Sequence, residues 1–77
     1  PSMRQHIRIE CKRYTSVPVK VQVARQLLGV VSDEKVNKGV IVTTSHFTEG
    51  ARKFAENNPR IELIDGNDLI SLLNQHL

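Results

Sequence analysis

Seventy-seven residues, 39% hydrophobic and 25% charged, make one small globular domain and exclude a disordered chain. A chain of this length buries only about 60% of the surface its unfolded form exposes, so its core is thin unless another segment or chain adds to it. The net charge of +3 admits a polyanionic partner without requiring one, the single cysteine excludes an internal disulfide and fits a reducing, cytoplasmic setting, and no apolar run approaches the roughly 20 residues of a membrane span.

The opening Pro1-Ser2-Met3 reads as a cloning scar or the start of a fragment, which leaves residues 4–77 as the folded unit. From His6 to Tyr14 the chain alternates as a strand does. Ile7, Ile9 and Cys11 point one way, and His6, Arg8, Glu10, Lys12 and Tyr14 the other. The stretch VPVKVQVARQLLGVV begins with strand-like alternation. From Val21 onward, however, Ala24, Leu27, Leu28 and Val31 recur at helical spacing, which predicts a helix over 18–30 with Pro18 in its first turn and Gly29 at its stop.

A polar connection leads to GVIVTTS (39–45), a continuous β-branched run suited to a parallel sheet buried on both faces. Thr48 then caps a helix EGARKFAENN, with Ala51, Phe54 and Ala55 inward and Pro59 beyond its end. RIELI is a short strand, and DGNDLISLLNQHL a closing helix. Only Tyr14, Phe47 and Phe54 are aromatic, so Val, Ile and Leu must build the core. The order βαβαβα predicts an α/β fold, three parallel strands in a small sheet flanked by helices.

Glu10 and Lys12 fall on one strand face, about 6.5–7 Å apart along it. Two readings of this pair are open. A carboxylate can hold Mg²⁺, which polarises a phosphate and activates water, while the lysine orients that water or neutralises charge developing on the phosphate. The other reading is an ordinary ion pair on an exposed strand.

Beyond this pair, IECKRY, the Val-rich helix ending in LLG, KGVIVTTSHFTEGARKFA and IELIDGNDLISLL together resemble the Mrr-type restriction endonuclease family of the PD-(D/E)xK nuclease superfamily. The resemblance runs from Ile7 to Leu73, and GVIVTTSHFTEGARKFA is its most specific block. It implies a prokaryotic, cytoplasmic DNA endonuclease of restriction-modification type, with a restriction-endonuclease-like fold and Mg²⁺ as cofactor, replaceable by Mn²⁺. By the same resemblance Glu10 binds the metal, the Cys11 backbone carbonyl is a further ligand, and Lys12 assists the nucleophile.

Two departures qualify the carry-over. Many members of the family have glutamine where this chain has Glu10; glutamate is the commoner choice in the superfamily, so metal binding is not weakened. The family's catalytic aspartate comes from an earlier strand, and residues 1–9 contain no Asp or Glu. The expectation is therefore a partial domain, its C-terminal two-thirds, lacking the leading helix and the Asp-bearing strand and catalytically incomplete alone. A missing N-terminal segment or a homodimer would complete the sheet. The competing expectation is a non-catalytic module derived from a nuclease fold and kept for DNA binding or protein association.

Several further residues could touch DNA. Lys12, Arg13, Lys20 and Arg25 would gather near the first strand's end and the following helix, where they could neutralise phosphates. Gln22 could reach the metal site or substrate. Thr44 and Ser45, following Thr43 at the end of the middle strand, could hold a phosphate with the next helix N-terminus, or serve only as turn and cap residues. His46 and His6 read as solvated, and Arg52 and Lys53 as a solvated helix face. Asp65-Gly66 reads as a turn capping the last helix, Cys11 as a core thiol, and Phe47 and Phe54 as core packing.

Overall fold

The computed structural model describes residues 6–13 and 16–75. The expected roles of Pro1–Met3 and Tyr14, and the end of the closing helix at residues 76–77, lie outside them. Six elements alternate as the sequence predicts: β1 (Ile7–Lys12), α1 (Val21–Asp33), β2 (Lys38–Thr43), α2 (Glu49–Glu56), β3 (Ile61–Ile64) and α3 (Gly66–Gln75). The sheet runs β1-β2-β3 with both pairs parallel. No helix among the described residues is long and apolar enough to cross a membrane.

The register assigns the faces. Glu10 pairs with Ile41, Lys12 with Thr43 and Arg8 with Gly39, while Gly39 and Ile41 pair in turn with Ile61 and Leu63. Paired residues of parallel strands share a face, so Arg8, Glu10 and Lys12 stand on the face that α1 and α2 cover. That cover is centred on β2. Leu27 and Val31 of α1 come so close to Gly39 that a Cβ there would lie 2.7–2.8 Å from their side chains. The core beneath is Val19, Ala24, Leu27, Val31, Ile41, Phe47, Ala51 and Ile61, with Phe54 packed against it.

Because α1 settles over β2, the edge strand β1 lies at the rim of the helix layer. Glu10 and Lys12 are half-buried there, and Arg8 is exposed. The opposite face of β1 is uncovered by any described residue, leaving Ile7 51% and Ile9 61% exposed. The core thiol expected at Cys11 is corrected accordingly. Its side chain follows Ile7 and Ile9 onto the uncovered face and is exposed.

The first helix also differs from its predicted span of 18–30. Its backbone stays extended through Val19, whose amide donates to the His46 carbonyl at 2.8 Å and whose carbonyl accepts from the Thr48 amide at 3.0 Å. This bridge to the segment after β2 outweighs the helical start that Pro18 suggests. At the other end Gly29 is no stop: the helix continues to Asp33, because Gly29 faces open solvent and the register of Val30 and Val31 still packs.

Candidate active site

The C-terminal half of β1 carries the chemistry-bearing residues. Three ion pairs occur among the described residues: Arg8 with Glu34 at 3.2 Å, Lys38 with Glu62 at 3.3 Å, and Arg52 with Asp65 at 2.6 Å. Glu10 and Lys12 take part in none of them. Sharing a face two residues apart, they are not paired with each other, so the carboxylate and the ammonium are both available to a ligand at the sheet rim.

Backbone direction adds a third donor. Along β1 the carbonyls alternate between the two strand edges. The His6 carbonyl accepts from the Lys38 amide at 3.3 Å and the Lys12 carbonyl from the Thr43 hydroxyl at 2.8 Å, so even-numbered carbonyls face β2. The Cys11 carbonyl is thereby turned to the open edge, between the side chains of Glu10 and Lys12 in sequence. A carboxylate and a backbone carbonyl are hard oxygen donors of the kind Mg²⁺ and Mn²⁺ take. The donor set fits such a cation, but sparsely. No three His, Cys, Asp or Glu side chains converge among the described residues.

The segment after β2 holds the chain that leaves β1. Thr43, 1% exposed, donates to the Lys12 carbonyl, and its hydroxyl accepts from the Ser45 amide at 3.1 Å. The Ser45 hydroxyl donates to the Val17 carbonyl at 2.9 Å. With the Val19 bridge, three successive grips tie residues 12–19 to residues 43–48. Ser16, Thr44, Ser45, His46 and Asn67 line an open depression of 380 Å³ at this end of the sheet.

The other sequence candidates are scattered more widely. Arg13 and Lys20 are exposed near the end of β1 and the start of α1. Gln22 is exposed in the first turn of α1. Arg25 is turned towards α2, its guanidinium carbon 5.9 Å from the Phe54 ring centroid, on the side of α1 away from β1. Thr44 is exposed and Ser45 half-buried. His6 lies at the far end of β1, four residues or about 13 Å from Glu10 along the strand, with its amide donating to Asn37 Oδ1 at 2.8 Å.

Asp65 is the cap its sequence suggested. Its Oδ1 accepts from the Asp68 amide and its own amide donates to Asp68 Oδ2, both at 2.9 Å. Burial at 5% exposure raises its pKa, but the Asp68 amide and the Arg52 guanidinium outweigh this and hold the carboxyl below its ordinary value. Arg52, read from sequence as a solvated side chain, is therefore structural: it binds Asp65 and lies 6.0 Å from the Phe47 ring centroid. The role of Thr43 was also missed, since nothing local in VTTS shows that Thr43 stands opposite Lys12.

Comparison with known proteins bears on the family. The chain is 29% identical over 69 residues to EcoKMrr of Escherichia coli strain K12, a type IV methyl-directed restriction enzyme, a match covering 90% of this chain and 22% of that protein. The chain thus spans less than a quarter of the curated relative it matches. No solved structure gives a significant match. A model of the Mrr_cat family, described as restriction endonuclease, matches residues 1–73, and the chain belongs to the Mrr-type restriction endonuclease family.

Proposed function

We propose that this chain carries the metal-binding and lysine half of a DNA endonuclease site of the PD-(D/E)xK kind, hydrolysing phosphodiester bonds with Mg²⁺ in the cytoplasm. The observation that carries the reading is the pair on β1: Glu10 and Lys12 share a half-buried rim face and neither is consumed by an ion pair among the described residues. The Glu10 carboxylate and the Cys11 carbonyl would hold the cation, with Mn²⁺ as a substitute for Mg²⁺. When bound, the cation would polarise the scissile phosphate and make water a better nucleophile.

The chain's own residues supply the rest. The Lys12 ammonium, on a flexible stem at the rim, would orient the attacking water or neutralise charge gathering on the phosphate oxygens. Arg13 and Lys20, exposed beside the strand end, would neutralise neighbouring backbone phosphates and make binding salt-sensitive. Thr44 and Ser45 would extend the phosphate track across the depression beside Asn67. A second carboxylate would come from a segment of the full protein beyond these 77 residues or from a second copy of the chain, at the open edge of β1. Alone, the chain would be catalytically incomplete.

The test is plasmid cleavage by the protein that carries this domain. Cleavage in Mg²⁺ that stops in EDTA and is abolished by Glu10→Ala and by Lys12→Ala supports the reading; unchanged cleavage by both variants sinks it. The sparse donor set and the exposed face of Ile7 and Ile9 favour a second reading, a non-catalytic module that binds DNA or another chain. Retained DNA affinity without Mg²⁺ or Mn²⁺ binding at Glu10 would select it.

A further inference from the structure

We infer that Thr43 is a positioning residue for the β1 site. Its hydroxyl holds the Lys12 carbonyl, and this fixes the strand end so that the Glu10 carboxylate, the Cys11 carbonyl and the Lys12 ammonium are presented together. The inference rests on the proposed nuclease reading and deepens it.

Position and burial carry it. Thr43 follows Gly39 and Ile41 on the α1-covered face of β2, where an apolar side chain would be expected, and it is 1% exposed. Valine would fill nearly the same volume without a buried hydroxyl to satisfy. The hydroxyl of Thr43 has partners in both roles, donating to the Lys12 carbonyl at 2.8 Å and accepting from the Ser45 amide at 3.1 Å. Lys12 and Thr43 form the last paired position of the β1-β2 ladder.

β1 has only one neighbouring strand among the described residues, so nothing on its other edge steadies that last position. A donor placed there acts on the two peptide units that carry the site. The Lys12 carbonyl is gripped directly, and the preceding peptide, whose carbonyl faces the open edge, is held in register by it. Such outer-shell contacts orient metal-binding groups without touching the metal.

The experiment compares Thr43→Val with Thr43→Ser in the full protein that carries this domain, at a temperature where circular dichroism shows both folded. Mn²⁺ binding is read by calorimetry, and amide hydrogen exchange at Lys12, whose N–H faces β2, by NMR. Thr43→Val is expected to weaken Mn²⁺ binding about tenfold and to speed exchange at Lys12, while Thr43→Ser, which keeps the donor, stays within about twofold of the parent. A lower melting temperature in Thr43→Val with unchanged Mn²⁺ affinity would overturn the inference and leave Thr43 a packing residue. Glu10→Gln separates the two levels. If it leaves Mn²⁺ binding unchanged, or if the unsubstituted full protein binds no Mn²⁺, the nuclease reading itself fails and this inference with it.

Discussion

Glu10 and Lys12 stand two residues apart on one face of β1, half-buried, and do not pair with each other, although three other acid–base pairs form among the described residues. A double-mutant cycle with Glu10→Ala and Lys12→Ala should therefore give a coupling energy near zero, with each single variant within about 0.5 kcal/mol of the parent in denaturant unfolding. A coupling approaching the ~1 kcal/mol of a good exposed ion pair would show that the two side chains serve stability instead.

Asp65 should make folding sensitive to acid. Its folded pKa is lowered below the ordinary value of 3.8, chiefly by the Asp68 amide and then by Arg52, against the cost of burial. A depressed carboxyl contributes stability that is complete above the unfolded pKa and is lost as pH falls through the folded one. Stability should thus decline below about pH 4. Asp65→Asn should flatten that decline and cost on the order of 1 kcal/mol at pH 7, the smaller end of the range because Arg52 is half-exposed and solvent screens the pair. Urea midpoints measured from pH 2.5 to 7 test both statements. A steep acid limb that survives in Asp65→Asn would assign the effect to another carboxyl.

Element order was legible because each segment carried one dominant period. The β-branched run of β2, the spaced Ala and Leu of α1, and Thr48 ahead of α2 all fell where local chemistry put them. The facing of β1 was only half legible. Alternation correctly separated Glu10 and Lys12 from Ile7, Ile9 and Cys11, but it could not say which face the helices cover. That depends on Gly39, whose missing side chain draws α1 over β2 and leaves β1 at the rim. The Thr43 contact with Lys12 was invisible for a similar reason: residues 31 apart meet only through the register. Arg52 misled because an exposed helical arginine looks solvated until a buried Asp65 is found beside it.

The uncovered face of β1 yields a contrast between two isoleucines. Ile9 is 61% exposed, while Ile41, one strand away on the covered face, is fully buried. In the 77-residue chain Ile9→Thr should change stability by less than about 0.5 kcal/mol, whereas Ile41→Ala should cost roughly 2–5 kcal/mol through lost burial and the cavity it leaves. Chemical denaturation of the two variants checks the ratio. A large cost at Ile9 in dilute chain would mean that its face is covered in solution, and a concentration-dependent midpoint would identify a second copy as the cover.

Gly29 and Gly39 should respond to alanine with opposite signs. At Gly29, inside α1, an added Cβ meets nothing within 4 Å, and the backbone is already helical. Gly29→Ala should stabilise the chain by about 0.5–1 kcal/mol, because alanine has less freedom to lose on folding. At Gly39 the same methyl would lie 2.7 Å from Leu27 Cγ and 2.8 Å from Val31 Cγ2. Both side chains are fully buried and cannot swing aside, so α1 must lift from the sheet or repack. Gly39→Ala should therefore cost about 1–3 kcal/mol. Because lifting α1 also alters the rim beside Glu10, the variant should lose Mn²⁺ affinity along with stability, while Gly29→Ala leaves that affinity unchanged. Thermal melts and calorimetry on the two variants read both quantities, and a neutral Gly39→Ala would mean that α1 sits further from β2 than this packing requires.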